Sequence, residues 1–204
     1  ASVKMDLRLD QKLLDRAEAE GVRQFRDLLE GDEIRITMTG DATSDHTTKT
    51  SSLRDLTLTV EGLAELSVSG DVGNLPLRVF ETPNDPMAVQ IALRQTTLQK
   101  ATVTFRNATL IQKLVTLVSR KNNVPPEQTI NMLAGTVMAN LSRGGDPAMI
   151  AYAREIGSFL RKPESIQLTL NPTRKIPLMA LGNPQLLQAP GAVRKVLGLE
   201  VRAN

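Results

Sequence analysis

Cysteine and tryptophan are absent from this chain of 204 residues, and histidine occurs once, as His46. Without cysteine there is no disulfide framework, no thiolate nucleophile and no Cys-based zinc or iron–sulfur site. A single histidine cannot supply a multi-histidine metal site or a pair of imidazoles for acid–base chemistry. We therefore expect a protein with no metal, no cofactor and no catalytic residue, and not an enzyme.

Aromatic residues make up only 2% of the chain, as four Phe and one Tyr. Proteins that bind single-stranded nucleic acid stack the bases on aromatic side chains, so this scarcity argues against such a role. The apolar residues are instead mostly aliphatic, and surfaces of this kind often line hydrophobic cavities or grooves. An ordinary aliphatic core is the other interpretation of the same composition.

Long uncharged helical stretches are also missing. Gln128–Ser142 is shorter than the roughly 20 residues that a helix needs to cross a bilayer, and three prolines interrupt the longer stretch 176–193. The sequence therefore predicts no transmembrane helix. Because the chain begins at Ala1 without a methionine, we interpret it as a processed chain or as a piece of a longer exported protein.

The net charge of +3 conceals a strong asymmetry between the two halves. Residues 1–95 carry 11 basic and 17 acidic side chains, whereas residues 96–204 carry 14 basic and 5 acidic ones. A basic half is compatible with an anionic membrane or with nucleic acid. Many of its cations fall at predicted helix C-termini, however, where the helix dipole stabilises them without any partner. We expect nucleic acid not to be the partner.

The first half of the chain is dominated by alternating apolar and polar residues, which is typical of strands with one buried face. Glu61-Gly62 separates two such runs and predicts a hairpin turn. A helix is expected over 13–29, after Asp10, and a polar loop or a flexible hairpin tip over 40–52. The predicted strands cover 3–9, 34–38, 56–60, 66–70, 87–93 and 98–105.

The predicted loop contains Ser44, Asp45 and His46, the residue types of a catalytic triad. Adjacent residues point in different directions, however, and do not form a triad. We interpret His46 as a solvated loop residue.

The second half changes to helical periodicity. Apolar stripes predict helices over 110–118 and 126–141, and Asp146-Pro147 predicts the start of a third helix that ends before Pro163. Strands follow at 166–170, 176–180 and 197–201, with a short helix at 191–196. The order of elements predicts an α+β fold, with a curved antiparallel sheet packed against about three to four amphipathic helices.

We expect one domain over residues 1–204. An alternative is a pair of similar β–α halves, 1–95 and 96–204, because the sequence around Met5 and Leu13 resembles the sequence around Val103 and Leu110.

The segment from Ile176 to Val193 is apolar and uncharged, and a pair of cations flanks it on each side. Such a loop suits contact with anionic lipid head groups or with a protein partner. An edge strand and a short helix packed on the sheet would have the same sequence. The residues predicted to make the contact are Arg174, Lys175, Ile176, Leu178, Leu181, Leu186, Leu187, Arg194 and Lys195.

The segment from Leu56 to Asp71, two predicted strands joined at Gly62-Leu63, resembles segments of AsmA-like and related uncharacterised bacterial envelope proteins. The segment from Phe159 to Pro172 also resembles such proteins. The resemblance implies an exported, periplasmic domain concerned with envelope integrity or lipid handling, and the Thr/Ser-rich strands favour the same compartment. We therefore expect a non-catalytic periplasmic domain that binds a hydrophobic ligand, a lipid surface or another envelope protein. The alternative is a soluble enzyme or a nucleic-acid-associated domain.

Overall fold

A computed structural model describes residues 2–10, 33–45, 50–74, 76, 86–181 and 190–204, and this part of the chain forms eight strands and six helices. The strands are β1 (Ser2–Asp10), β2 (Glu33–Asp45), β3 (Thr50–Val60), β4 (Ala64–Gly73), β5 (Thr97–Asn107), β6 (Ser165–Leu170), β7 (Ile176–Pro177) and β8 (Leu199–Ala203). The helices are α1 (Pro86–Gln95), α2 (Leu110–Asn122), α3 (Pro126–Ser142), α4 (Pro147–Arg161), α5 (Leu178–Leu181) and α6 (Pro190–Leu197).

The strands form one open antiparallel sheet in the order β1-β2-β3-β4-β5-β6-β8, and β7 pairs with β5 in line with β6. Strand order follows chain order, and β5 and β6 are neighbours although α2, α3 and α4 lie between them in the sequence. The predicted α+β fold is confirmed.

The turn between β3 and β4 anchors the start of helix α2. Gly62 has a φ of +73°, which glycine adopts without strain. The carbonyl of buried Leu63 accepts hydrogen bonds from the N–H groups of Ala108, Thr109 and Leu110, at 2.8, 3.0 and 3.1 Å. The predicted hairpin turn is confirmed, and the same turn holds the start of α2.

Helix α4 lies on the apolar face of the sheet. The rings of Phe159 in α4 and Phe105 in β5 meet edge to face, with centroids 5.9 Å apart. Met149 and Ala153 on the same helix are also buried. The predicted start of α4 is confirmed, because the Asp146 carboxylate accepts a hydrogen bond from the N–H of Ala148 at 2.9 Å.

Two predictions for the first half differ from the structure. Residues 87–93 form helix α1 rather than the predicted strand, because Ala88 and Ala92 fill the gaps in the alternation with strong helix formers and Pro86 suits a first helical position. Residues 40–45 and 50–52 do not form the loop of the first interpretation. They belong to the antiparallel strands β2 and β3, as in a hairpin, and Thr43 pairs with Ser52.

A third difference concerns the segment after β7. The strand that was predicted over 176–180 has only two residues, Ile176 and Pro177, and the chain continues as helix α5. Pro177 has no N–H with which to extend the ladder. The predicted helix over 13–29 lies outside the described residues.

Candidate ligand-binding surface

One face of the sheet is apolar across its width. The strand registers place apolar side chains opposite one another in rows, since residues two apart in a strand share a face. One row contains Met38, Leu58, Leu66, Phe105 and Ile166. The next contains Leu56, Val68, Val103, Leu168 and Val201.

The helices do not cover this apolar face evenly. Near α4 the face is closed, and Val201 in β8 is 7% exposed. Leu58 and Leu66, on β3 and β4 in the middle of the sheet, are each 37% exposed, and so is Leu168 on β6, opposite Val201. Leu58 and Leu66 are directly opposite in the β3–β4 ladder, so their side chains form one partly open surface. We call six of these residues the apolar strip: Leu58 and Leu66 from the first row, and Leu56, Val68, Val103 and Leu168 from the second.

The local sequence explains why these leucines share a face. In β3 and β4, threonines, serines and Glu65 occupy the alternate positions and lie on the opposite face. A slip of one residue in the ladder would place those polar groups on the apolar face, and the turn at Gly62 holds the register against it. The sequence placed Leu58 and Leu66 on a buried face, and the structure adds that a third of each remains open.

The helices carry exposed apolar side chains of their own. Met132 on α3 is 59% exposed, and Leu133 beside it is also exposed. Ile91 and Met179 are exposed on α1 and α5, two helices that contact each other. These residues lie outside the apolar strip, and Met132 and Leu133 provide control variants below.

The predicted contact residues around β7 are divided between core and surface. Ile176 is 5% exposed and pairs with Leu98 of β5, which makes it part of the core. Leu178 and Leu181 are half-buried in α5, and Leu186 and Leu187 lie outside the described residues. Arg174, Lys175 and Lys195 are exposed, whereas Arg194 is half-buried. Contact of this segment with a membrane or a partner stays a prediction, and the exposed cations are the residues available to make it.

Arg194 belongs to a polar cluster where α4, α6 and β8 meet. Its Nε lies 3.4 Å from Oδ2 of Asp146. The hydrogen bond from the Ala148 N–H holds the pKa of the Asp146 carboxyl below its ordinary value, and the charge of Arg194 acts in the same direction. Burial raises the pKa of the Tyr152 phenol, whose hydroxyl donates to the Leu199 carbonyl. The ion pair and these hydrogen bonds join α4, α6 and β8, although Nε of Arg194 has no hydrogen-bond partner among the described residues.

Among the residues that the structure describes, no three His, Asp or Glu side chains are placed to hold a metal ion. Ser44 and Asp45 are consecutive residues of β2, and His46 lies outside the described residues. Among the described helices, none has the length and hydrophobicity required to cross a bilayer.

Residues 57–204 match a protein family described as "Uncharacterized protein". The chain belongs to this family. The matched range begins within β3, at Thr57, and includes β4 and every later element, so it contains all residues of the apolar strip except Leu56. No curated protein matches the chain. The resemblance to AsmA-like proteins, the absence of catalysis and the alternative functions stay predictions.

Proposed function

We propose that the protein is a non-catalytic binding domain of the bacterial cell envelope, which holds the acyl chain of a lipid against the apolar strip. The observation that carries the proposal is the pair Leu58 and Leu66, each 37% exposed on strands whose other face is polar. Aliphatic side chains this open to water cost free energy, at about 25 cal/mol per Å² of apolar surface that a ligand could cover.

The shape of the strip suits an elongated ligand. It crosses four neighbouring strands, β3 to β6. Strands lie about 4.8 Å apart, so the strip is about 15 Å across the sheet. A narrow apolar surface of this length favours a flexible chain over a compact ring system. The side chains of the strip are all leucine or valine.

The charged residues around β7 supply a second part of the proposal. Arg174, Lys175 and Lys195 are exposed, and they would attract an anionic lipid surface. Such attraction weakens as ionic strength rises, because exposed charges are screened. We place the protein in the periplasm on the basis of its Thr/Ser-rich strands and its resemblance to envelope proteins.

Lipid binding is tested first on the full chain as purified. Native mass spectrometry should show bound lipid, and a fatty acid that carries an environment-sensitive fluorophore should bind with saturation. Leu58→Ser and Leu66→Ser should each weaken this binding about tenfold, because each places a hydroxyl where the acyl chain packs.

Met132→Ser is the matched control, since Met132 is exposed on α3 and lies outside the strip. It should leave binding unchanged, and circular dichroism should show all three variants folded. Absence of saturable binding, or equal weakening by Met132→Ser, would overturn the proposal.

A further inference from the structure

The polar face of the sheet contains a depression of about 320 Å³, on the opposite side from the apolar strip. It opens over the middle of β3, β4 and β5. Arg54, Lys100 and Asp71 contribute charged groups to its lining, and Ser52, Ser69 and Thr102 contribute hydroxyl groups.

Irregular strand pairing forms this depression. The β3–β4 register shifts between Leu53 and Leu56, so Arg54 and Asp55 together oppose Ser69. Asp55 has a φ of +50°, an uncommon value for a residue with a side chain. Bulges of this kind bend a strand and redirect side chains, and they occur often beside functional sites.

Gly70 also borders the depression. A Cβ atom at Gly70 would lie 2.6 Å from the carbonyl oxygen of Lys100, so no other residue fits without a backbone shift. That atom would lie on the apolar face, which Gly70 shares with Val68, so Gly70 borders the depression with its backbone atoms. The β4–β5 register shifts between Asp71 and Val72.

Two cations at the depression, Arg54 and Lys100, have no carboxylate within 4 Å among the described residues. The strand ladders place Asp41 opposite Arg54 and Asp71 opposite Lys100, without an ion pair at that distance. Elsewhere on the same face, arginines are paired: Arg106 with Glu65, and Arg202 with Glu200 at 3.4 Å. The lining carries two positive charges and the negative charge of Asp71, and this excess of positive charge favours an anion.

The hydroxyl groups of the lining add hydrogen-bond donors, and the Asp71 carboxylate adds an acceptor. The hydroxyls of Ser69 and Thr102 make no side-chain hydrogen bond within the described ranges. Oδ1 of Asp71 accepts a hydrogen bond from Ser52 at 2.6 Å, which leaves Oδ2 to accept from a ligand hydroxyl. The set of groups thus recognises an anion that carries a hydroxyl group beside it.

We propose that this depression binds the phosphate ester of a small polyol, such as a glycerol phosphate group. The guanidinium of Arg54 suits two phosphate oxygens at once, and the ammonium of Lys100 adds a second charge. Asp71 accepts a hydrogen bond from a polyol hydroxyl. The volume lies at the lower end of the range for small-molecule sites.

Isothermal titration calorimetry of the full chain tests the site with three probes: glycerol 3-phosphate, inorganic phosphate and glycerol. We expect glycerol 3-phosphate to bind more tightly than phosphate, and glycerol not to bind. Arg54→Gln and Lys100→Gln should each weaken binding of glycerol 3-phosphate about tenfold. Arg202→Gln, on the same face but outside the depression, should leave it unchanged.

Asp71→Asn tests recognition of the polyol hydroxyl separately from recognition of the phosphate. The substitution should weaken the binding of glycerol 3-phosphate relative to the binding of inorganic phosphate. The ligand hydroxyl loses its charged acceptor, whereas both ligands gain equally from the loss of repulsion between the carboxylate and phosphate. No saturable binding of any phosphate, or binding that Arg54→Gln leaves intact, would overturn the proposal. Equal affinity for phosphate and glycerol 3-phosphate would overturn its polyol part.

The same chemistry occurs in soluble compounds and in lipid head groups. Vesicles of phosphatidylcholine with added phosphatidylglycerol therefore form a further arm of the experiment. Vesicle binding that Arg54→Gln removes identifies a head group, whereas binding of soluble glycerol 3-phosphate alone identifies a free ester. Leu58→Ser should leave the calorimetric binding of soluble glycerol 3-phosphate unchanged, because Leu58 lies on the other face, so failure of the lipid proposal and failure of this one are distinguishable.

Discussion

The Asp146 carboxylate lies between the start of α4 and the side chain of Arg194 in α6. Its Oδ1 caps α4 through the N–H of Ala148, and its Oδ2 lies 3.4 Å from Nε of Arg194. One carboxylate thereby fixes the entry of α4 and the position of the last helix, which leads directly into β8. The polar contacts at this junction are therefore a means of holding the edge of the sheet.

The Asp146 junction should show a pH-dependent contribution to stability. The folded-state pKa of Asp146 lies below its ordinary value of 3.8, so the contribution is present above about pH 4 and disappears as the pH falls through the lowered value. Asp146→Ala should lower Tm by a few degrees at pH 7. The difference from the native chain should shrink at pH 3, as measured by thermal unfolding.

Asp146→Asn separates the cap from the charge, because asparagine also caps helices well. We expect it to keep most of the Tm at pH 7 and to lose the pH dependence that distinguishes the native chain from the alanine variant. An alanine variant whose deficit is the same at both pH values would contradict this account.

Phe159→Ala should destabilise the fold by about 3–5 kcal/mol, because it removes a buried ring and its edge-to-face contact with Phe105. Urea unfolding followed by circular dichroism measures the change. Leu133→Ala, at an exposed position of α3, should change stability by no more than about 0.5 kcal/mol. Similar losses in the two variants would show that α4 does not depend on this contact.

Gly198→Ala should release β8 from the sheet. Gly198 has a φ of +57°, and a Cβ atom there would lie 2.7 Å from the carbonyl carbon of Asn171. The backbone must shift to relieve this clash, so hydrogen exchange of the β8 amides should accelerate. Gly144→Ala is the control, since a Cβ atom at Gly144 meets nothing within 4 Å. Unchanged β8 protection in the Gly198 variant would contradict the prediction.

The hydroxyls of Ser119 and Thr129 form a buried hydrogen bond of 2.9 Å between α2 and α3. Ser119→Ala should cost about 1 kcal/mol, since Thr129 keeps its longer hydrogen bond to the Pro125 carbonyl. A double-mutant cycle with Thr129→Val, measured by urea unfolding, gives the coupling between the two side chains. A coupling energy near zero would show that the bond contributes no stability.

Local signals were enough to predict much of the fold. Asp146-Pro147 predicts the start of α4 because capping depends on neighbouring atoms alone, and Gly62 predicts the hairpin turn for the same reason. Helix α1 was not predicted because its apolar residues fit the two-residue period of a strand as well as the 3.6-residue period of a helix. The extension of β2 and β3 was missed because polar residues pair there, which the hydrophobic pattern does not register.

The candidate sites were harder to predict, since they depend on where distant segments meet. Alternation places Leu58 on an apolar face but does not reveal how much of that face α4 covers. Arg54 and Lys100 lie on different strands with β4 between them, and each lies next to a shift in the strand register. Neither shift has a signature in the sequence that could have been found without the ladder.

The position of the three helices between β5 and β6 has a consequence for the order of folding. The β3–β4 ladder is closed by a short turn, whereas the pairing of Ala101 with Leu170 closes a long loop that contains α2, α3 and α4. Closing the longer loop costs more chain entropy, and such long-range pairings form slowly. We expect the β3–β4 hairpin to form early and β6 and β8 to join it late. Until they join, the apolar face around Phe105 would lack the cover of α4, which exposes apolar surface to aggregation.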